Sequence, residues 1–271
     1  MTKPLTIGLI GCGTIGTRIA QAVDQGEVAA VLQAVNDIER ERAIGLKRGL
    51  THQNPAVTDL EGIFSMVDLV VEAASRGAVS KVVRLASKFK RDCMIMSVGA
   101  LLGAEQVIEE AKRAGIRIYC PSGALAGLDA VAAAAVGRID TVRLTTIKPP
   151  RALRGAPYVT QRGIDLDGLT GEQVIFEGTA LDAVPAFPKN INVAAALSLA
   201  GIGAQRTMVR IVADPKATRN IHSVEVEGEF GRLVTRTENL PAPFNPRTSY
   251  LAALSAVACL KRITASLRVG G

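Results

Sequence analysis

The sequence predicts an α/β fold: a doubly wound parallel sheet followed by a second, α+β domain with a mixed sheet. Short apolar segments alternate with amphipathic helical segments through roughly residue 120, which is the pattern of successive β-α-β units. Beyond that point the alternation stops and β-rich segments follow one another. With 271 residues, 48% of them hydrophobic, the chain can form two cores. We expect domains at residues 1–122 and 123–246, with residues 247–271 forming a helix that packs back on the first domain.

The first element is an apolar strand, Leu5–Ile10, followed by a glycine-rich turn with the sequence GCGTIG. Gly11 would permit the tight turn, Gly13 would let the backbone approach a pyrophosphate, and Gly16 would let the next helix pack closely on the strand. That helix would offer its N-terminal amide groups to phosphate. The pattern is typical of a Rossmann domain that binds NAD or NADP. The cofactor contacts it predicts are Gly11, Gly13, Thr14, Ile15 and Gly16.

A second apolar strand, residues 28–35, is followed by Asn36 and Asp37. Asp37 lies where an acidic side chain binds the 2′-hydroxyl of the adenosine ribose in NAD enzymes. Arg40 and Arg42 follow closely and could instead bind the 2′-phosphate of NADP. The preference between NAD and NADP therefore stays open.

The remaining strands of the first sheet end in small or hydroxyl-bearing residues. These predicted strands are residues 68–72, 92–98 and 116–120, and the helices between the strands are residues 14–25, 38–49, 59–65, 76–90 and 103–114. Ligands bind at the carboxyl ends of the strands in open α/β sheets. We therefore expect Ala74, Ser75, Val98 and Gly99 to contact the cofactor.

The second half of the chain mixes strands with a few apolar helices. The predicted strands are residues 141–147, 174–178, 207–213, 223–229 and 230–237, and the longer helices are residues 125–137, 192–200 and 248–266. Residues 151–167 have no clear periodicity and are predicted to form a loop or lid. Lys189, Asn190 and Asn192 cluster at a helix start, where buried amides and a cation could bind a ligand, or the asparagines could cap the helix.

His222 is the candidate catalytic residue, because imidazole has the ordinary pKa that suits proton transfer near neutral pH. Lys148, Arg151, Lys189 and Asn190 are the candidates for binding an acidic substrate. The cations are chosen because the carboxylates of such a substrate need positive partners.

Composition narrows the possible partners. The net charge of +7 comes from lysines and arginines scattered along the chain, and aromatic residues make up only 3%, so neither a nucleic-acid surface nor base-stacking sites are expected. No apolar stretch is long enough to span a membrane, and no signal segment is visible, so we expect no membrane partner and a cytoplasmic protein. The four cysteines form no CxxC pair, and no metal site is expected.

Taken together, several segments resemble the L-aspartate dehydrogenase family. They are GCGTIG at 11–16, SVGA at 97–100, PSGALAGLDA at 121–130, KPP at 148–150, FPKNINVAAALSLAG at 187–201 and NIH at 220–222. The resemblance covers nearly the whole chain, and FPKNINVAA and NIH are its specific parts. It implies a homodimer that carries out reversible NAD(P)-dependent oxidative deamination of L-aspartate. The product, iminoaspartate, hydrolyses to oxaloacetate and ammonia or passes towards NAD biosynthesis. The family's catalytic histidine falls on His222, and its cofactor contacts fall on Ala124 and Asn192.

Three other interpretations stay open. Cys120 could be a nucleophile paired with His222, as in semialdehyde dehydrogenases, although Cys120 ends a strand and lacks the helix N-terminus that favours a thiolate. The two-domain plan also fits a dihydrodipicolinate reductase-like enzyme that acts on another small acidic substrate. The third interpretation is a non-catalytic NAD(H)-binding sensor.

Overall fold

The computed structural model describes residues 4–188, 191–243 and 245–270. The chain divides into two compact units, one formed by Met1–Pro121 with Ala252–Gly271 and the other by Ser122–Leu251. Within the described residues, no helix combines the length and the apolar character needed to cross a membrane.

The strands form two main sheets. The first contains β1 (Leu5–Ile10), β2 (Ala30–Asn36), β3 (Ala56–Val57), β4 (Leu69–Glu72), β5 (Asp92–Ile95) and β6 (Ile118–Tyr119), and the second contains β7 (Ile139–Lys148), β8 (Gln173–Thr179), β9 (Thr207–Ala213), β10 (Asn220–Gly228) and β11 (Gly231–Asn239). A short ribbon pairs β12 (Pro241–Ala242) with β13 (Asn245–Ser249).

The helices are α1 (Thr14–Asp24), α2 (Arg40–Arg48), α3 (Leu60–Met66), α4 (Arg76–Phe89), α5 (Glu105–Ala114), α6 (Leu128–Ala134), α7 (Pro157–Arg162), α8 (Ala180–Ala186), α9 (Asn192–Ala200) and α10 (Tyr250–Thr264). Two 3-10 turns, Val98–Ala100 and Pro150–Ala152, follow β5 and β7.

The first sheet is parallel throughout, in the order β3-β2-β1-β4-β5-β6. This is the strand order of a doubly wound dinucleotide-binding sheet, so the predicted Rossmann fold is confirmed. The central strands are nearly continuous apolar runs because helices cover both faces of such a sheet. The C-terminal helix α10 contributes Ala256, Val257 and Leu260 to the same core.

The second sheet is mixed, in the order β11-β10-β7-β9-β8, which confirms the predicted α+β class. Strands β7 and β9 are parallel, and the other neighbours are antiparallel. One face of β7 buries Val142, Leu144, Thr146 and Lys148 in alternation. The buried face therefore changes from apolar to polar towards the end of the strand, and this change locates the candidate site.

A few elements differ from the sequence prediction. Strand β3 was not expected, because its two residues carry no periodic pattern and only their pairing with β2 defines them. Residues 238–246 are rich in proline and the sequence predicts a loop there, but they contain β12 and the start of β13. The expected loop at 151–167 contains α7. Short elements of this kind depend on tertiary pairing more than on local preference.

Candidate functional site

The glycine turn of the first unit has the geometry that a diphosphate group requires. Gly11 has φ +96°, and a Cβ there would lie 2.5 Å from the carbonyl oxygen of Ala73. A Cβ at Gly16 would overlap the carbonyl oxygen of Gly11, so α1 can pack closely only with glycine there. A Cβ at Gly13, in contrast, would meet no atom within 4 Å. The space above Gly13 is therefore open. Helix α1 begins at Thr14, followed by Ile15, and no described side chain caps its N-terminus. These features fit NAD(P).

Asp37 lies directly beside this turn. Its Oδ2 accepts a hydrogen bond from the Cys12 amide at 2.7 Å, and its Oδ1 accepts one from the Glu39 amide at 2.9 Å. These two bonds hold the carboxylate at the end of β2, where the ribose of a bound nucleotide would lie. Arg40 and Arg42 are exposed, and Arg42 forms a 2.8 Å ion pair with Glu39.

The predicted contacts after β4 and β5 also lie at the carboxyl ends of adjacent strands. Ala74 and Ser75 form an exposed segment that leads into α4, whereas Val98 and Gly99 are buried in a 3-10 turn. Glu72, which the sequence analysis did not select, is fully buried between these two segments. Burial raises the pKa of Glu72, and hydrogen bonds from its neighbours oppose that rise.

In the second unit, three polar side chains meet at the polar end of the buried sheet face. His222 on β10 pairs in register with Thr146 on β7, and its Nδ1 lies 3.0 Å from the Thr146 hydroxyl. Lys148 lies two residues further along β7 on the same face. His222 is 3% exposed and Lys148 is 9% exposed, so both basic side chains are buried away from bulk water.

Burial sets the electrostatics of this cluster. Loss of hydration lowers the pKa of Lys148 to about 8. Burial, followed by the charge of Lys148, lowers the pKa of His222 to about 3. The expectation that His222 has an ordinary pKa near neutrality was therefore wrong, because the sequence could not show how deeply the strand face is covered. In this structure the imidazole is neutral at physiological pH.

Ala124 lies in the segment that follows the first unit and is held by β11. Its carbonyl oxygen accepts hydrogen bonds from the Thr237 hydroxyl at 2.8 Å and from Nδ2 of the Asn239 side chain at 3.2 Å. Thr237 is the register partner of His222 in the β10–β11 pair. This connection anchors the loop that carries Ala124 to the same part of the sheet as His222.

The other predicted site residues are less closely associated with this cluster. Arg151 is exposed in the 3-10 turn that follows β7. Asn192 is the first residue of α9 and is exposed, so the expectation of a buried amide was wrong for this residue. Lys189 and Asn190 lie outside the described residues.

The surroundings of Cys120 do not favour the thiolate that a cysteine nucleophile needs. Burial and the neighbouring Cys259 raise the pKa of Cys120 to about 12, so its sulfur is a thiol and a poor nucleophile. Among the residues that the structure describes, no group of three or more His, Cys, Asp or Glu side chains is placed to bind a metal ion.

Thr146 and Glu72 are the candidate functional residues that sequence reasoning missed. Thr146 precedes Lys148 by two positions, so the strand period of two places both on one face and offered a signal. Glu72 is a charged residue at the end of an otherwise apolar strand, which is also unusual. Its partners are 2 and 25 residues away, and only the folded sheet brings the distant one close.

Comparison with known proteins gives a consistent result over nearly the whole chain. Residues 129–263 match the family described as aspartate dehydrogenase, C-terminal, and residues 11–121 match the homoserine dehydrogenase NAD binding domain. The chain is 50% identical to an L-aspartate dehydrogenase of Methanosarcina mazei, covering 98% of this chain and 99% of the relative. It is 42% identical to one of Bradyrhizobium diazoefficiens, covering 99% and 95%.

A solved structure of similar fold is aspartate dehydrogenase from Thermotoga maritima. It has a TM-score of 0.77 and 28% identity, covering 99% of this chain and 100% of that chain. A homoserine dehydrogenase from Thiobacillus denitrificans has a TM-score of 0.64 and 15% identity, and the match covers 97% of this chain and 73% of that chain. At this identity the likeness shows the fold alone.

Proposed function

The chain belongs to the L-aspartate dehydrogenase family, and on this premise we propose that it catalyses the reversible NAD(P)-dependent oxidative deamination of L-aspartate. The observation that carries the proposal within the structure is the buried cluster of Thr146, Lys148 and His222. It combines a cation for an acidic substrate with an imidazole for proton transfer. When bound, NAD(P) supplies the acceptor for the hydride that leaves the α-carbon of aspartate.

The first unit would bind the cofactor mainly through backbone groups and less through side chains. The open space at Gly13 and the amide groups at the start of α1 suit the diphosphate. Asp37, fixed by the amides of Cys12 and Glu39, would bind the adenosine ribose. Ala74, Ser75, Val98 and Gly99 would contact the remainder of the cofactor.

Lys148 is the residue we assign to a substrate carboxylate. Burial removes water from the Lys148 ammonium group and so disfavours its charged form, and the pKa of about 8 expresses that cost. A carboxylate beside Lys148 would favour the charged amine and would be bound by it. Arg151 and Lys189 remain candidates for the second carboxylate, and Asn190 for a neutral substrate contact.

His222 is the residue we assign to proton transfer. With Thr146 at Nδ1, Nε2 is the ring nitrogen left to meet the substrate or a water molecule. The amine of aspartate must lose its proton before hydride leaves, and a neutral imidazole can accept that proton or activate water for imine hydrolysis. A substrate carboxylate that neutralises Lys148 would also remove part of the cause that lowers the pKa of His222. Substrate binding would therefore make His222 a better base.

Two further features belong to the proposal. A homodimer is expected from the family resemblance, and sedimentation equilibrium tests it. A cytoplasmic location is supported by the four cysteines, which are all free thiols, as is usual in a reducing compartment.

The direct test is an absorbance assay of cofactor reduction by the purified chain at alkaline pH. L-aspartate would be compared with D-aspartate, L-glutamate and L-homoserine, each with NAD and with NADP. The proposal predicts reduction that depends on L-aspartate, with oxaloacetate and ammonia as products. If the chain turned over one of the other amino acids but not L-aspartate, that amino acid would be the substrate. Binding of NADH without turnover of any of them would favour a sensor.

A further inference from the structure

A fully buried carboxylate joins two of the segments that follow the strands of the first sheet. Glu72 is the last residue of β4 and is 0% exposed. Its Oε1 accepts hydrogen bonds from the Ala74 amide at 2.8 Å and the Ser97 hydroxyl at 2.9 Å. Its Oε2 accepts one from the Ser97 amide at 3.0 Å. One side chain therefore sets the distance between the segment after β4 and the segment after β5.

The same segment also contacts the glycine turn. The Cβ that Gly11 lacks would lie 2.5 Å from the carbonyl oxygen of Ala73 and 2.7 Å from Cα of Ala74. Residues 73 and 74 therefore lie against Gly11, and the hydrogen bonds of Glu72 connect this segment to Ser97; we refer to these connected segments as the backbone surface. Burying a carboxylate is costly, and an apolar side chain of similar size would usually serve stability as well or better. The burial of Glu72 is therefore better explained by a role in cofactor geometry than by stability.

The strand order indicates which part of the cofactor this surface meets. In a sheet of order 3-2-1-4-5-6, each half binds one mononucleotide of a dinucleotide. The adenosine half uses β1 to β3, where Asp37 lies, and the nicotinamide half uses β4 to β6. We propose that Glu72 is a positioning residue for the nicotinamide nucleotide, acting through the backbone of residues 74 and 97. The inference rests on the proposed function, since it assumes that NAD(P) is the cofactor.

The substitution Glu72→Gln tests this role. Its NH2 group must face at least one of the three donors in either orientation of the amide, so one segment has to shift. Equilibrium binding of NADH and of ADP is measured by calorimetry on the parent chain and the variant. We expect NADH to bind about tenfold more weakly, which corresponds to about 1.4 kcal/mol, whereas ADP, which lacks the nicotinamide nucleotide, should change by less than about twofold.

Asp24 provides a matched control in the same unit. Its buried carboxylate also accepts three hydrogen bonds, from the amides of Thr51, His52 and Gln53. It lies at the end of α1 and thus at the sheet edge opposite the glycine turn where α1 begins. Asp24→Asn should lower stability without changing the dissociation constant of NADH.

The possible outcomes separate the inference from the proposed function. The positioning role alone would be overturned if Glu72→Gln bound NADH as tightly as the parent chain does. It would also be overturned if Glu72→Gln lost as much affinity for ADP as for NADH, or if Asp24→Asn lost as much affinity for NADH as Glu72→Gln does. A parent chain that binds ADP but neither NADH nor NADPH would overturn the proposed function together with this inference. Should Glu72→Gln not fold, Ser97→Ala removes one donor and keeps the carboxylate. It should weaken NADH binding about threefold with ADP unchanged, and parent-like NADH binding would then overturn the role.

Discussion

The hydroxyl of Thr146 lies 3.0 Å from Nδ1 of His222, and the two residues face each other across β7 and β10. Both are 3% exposed, so water does not compete for this contact. The contact fixes the plane of the imidazole and leaves Nε2 available. We therefore expect Thr146 to position the imidazole of His222, the residue assigned to proton transfer.

Replacing Thr146 by valine removes this contact while nearly preserving side-chain volume. We expect kcat to fall by about tenfold, as for loss of one buried hydrogen bond at a reacting group, with the dissociation constant of NADH unchanged. Steady-state kinetics and NADH titration measure the two quantities. Thr146→Ser keeps the hydroxyl and should retain most of the activity. A valine variant as active as the parent would show that Thr146 does not position His222.

The pKa of about 3 predicts that His222 stays neutral from mildly acidic to alkaline pH in the free protein. Nuclear magnetic resonance of the imidazole carbons should show no titration of His222 between about pH 5 and pH 8. The sequence contains only two histidines, so His52→Gln assigns the signals. A His222 signal that titrates near neutrality would contradict the burial that the structure shows.

The lowered pKa of His222 also predicts that the folded protein loses stability in acid. Between pH 6.5 and about 3, the unfolded chain binds a proton at this histidine that the folded chain does not bind. The free energy of unfolding should therefore fall as the pH decreases through this range, by up to about 1.4 kcal/mol per pH unit from this group. Denaturant titrations of the parent and of His222→Gln should converge as the pH falls. Parallel pH profiles would contradict the shift.

Lys148 predicts a pH dependence of carboxylate binding. Its pKa of about 8 means that the amine is charged below that pH and loses its proton above it. The inhibition constant of succinate, which has both carboxylates and no amine, should therefore rise with pH above about 8. Lys148→Met should raise this constant by about tenfold at neutral pH, as for loss of a charged hydrogen bond, and should abolish the dependence. Arg151→Gln is the control and should leave the pH dependence of the inhibition constant intact. If Lys148→Met also leaves this pH dependence intact, Lys148 does not bind the carboxylate.

Gly13 and Gly16 should respond differently to the same added methyl group. Gly13→Ala meets no protein atom, so stability should change by less than about 1 kcal/mol, while NADH affinity should fall by about tenfold because the Cβ occupies the diphosphate space. Gly16→Ala would overlap the carbonyl oxygen of Gly11 and should cost about 1–3 kcal/mol of stability. Thermal unfolding and NADH titration distinguish the two effects. Normal NADH binding by Gly13→Ala would show that the diphosphate lies elsewhere.

The glycine turn and the parallel sheet could be predicted because their signals are local. Each glycine has a separate steric reason, and buried parallel strands give continuous apolar runs that are easy to recognise. The choice of His222 came from residue type and from the family resemblance, and the choice of Lys148 came from its charge and its place in the sequence. Their altered pKa values could not be predicted, since these depend on how completely the face of β7 and β10 is covered.

Glu72 and Thr146 show what the sequence leaves out. Each is hydrogen-bonded to a partner that only the folded sheet brings near: Ser97 lies 25 residues from Glu72, and His222 lies 76 residues from Thr146. Asn192 illustrates the opposite error, since a helix start suggested a buried amide and the folded chain leaves the side chain exposed. Register and burial are tertiary properties, so local pattern alone does not determine them.

In the proposed reaction, hydride moves from the α-carbon of L-aspartate to the nicotinamide of the cofactor. The most direct measurement is transfer of deuterium from L-aspartate labelled at the α-carbon, followed by mass spectrometry of the reduced cofactor. We expect deuterium to appear in the reduced nicotinamide with the parent chain, and His222→Ala to slow its appearance by at least about tenfold. Reduced cofactor that forms without deuterium, or no reduction by L-aspartate although NADH binds, would rule out this reaction.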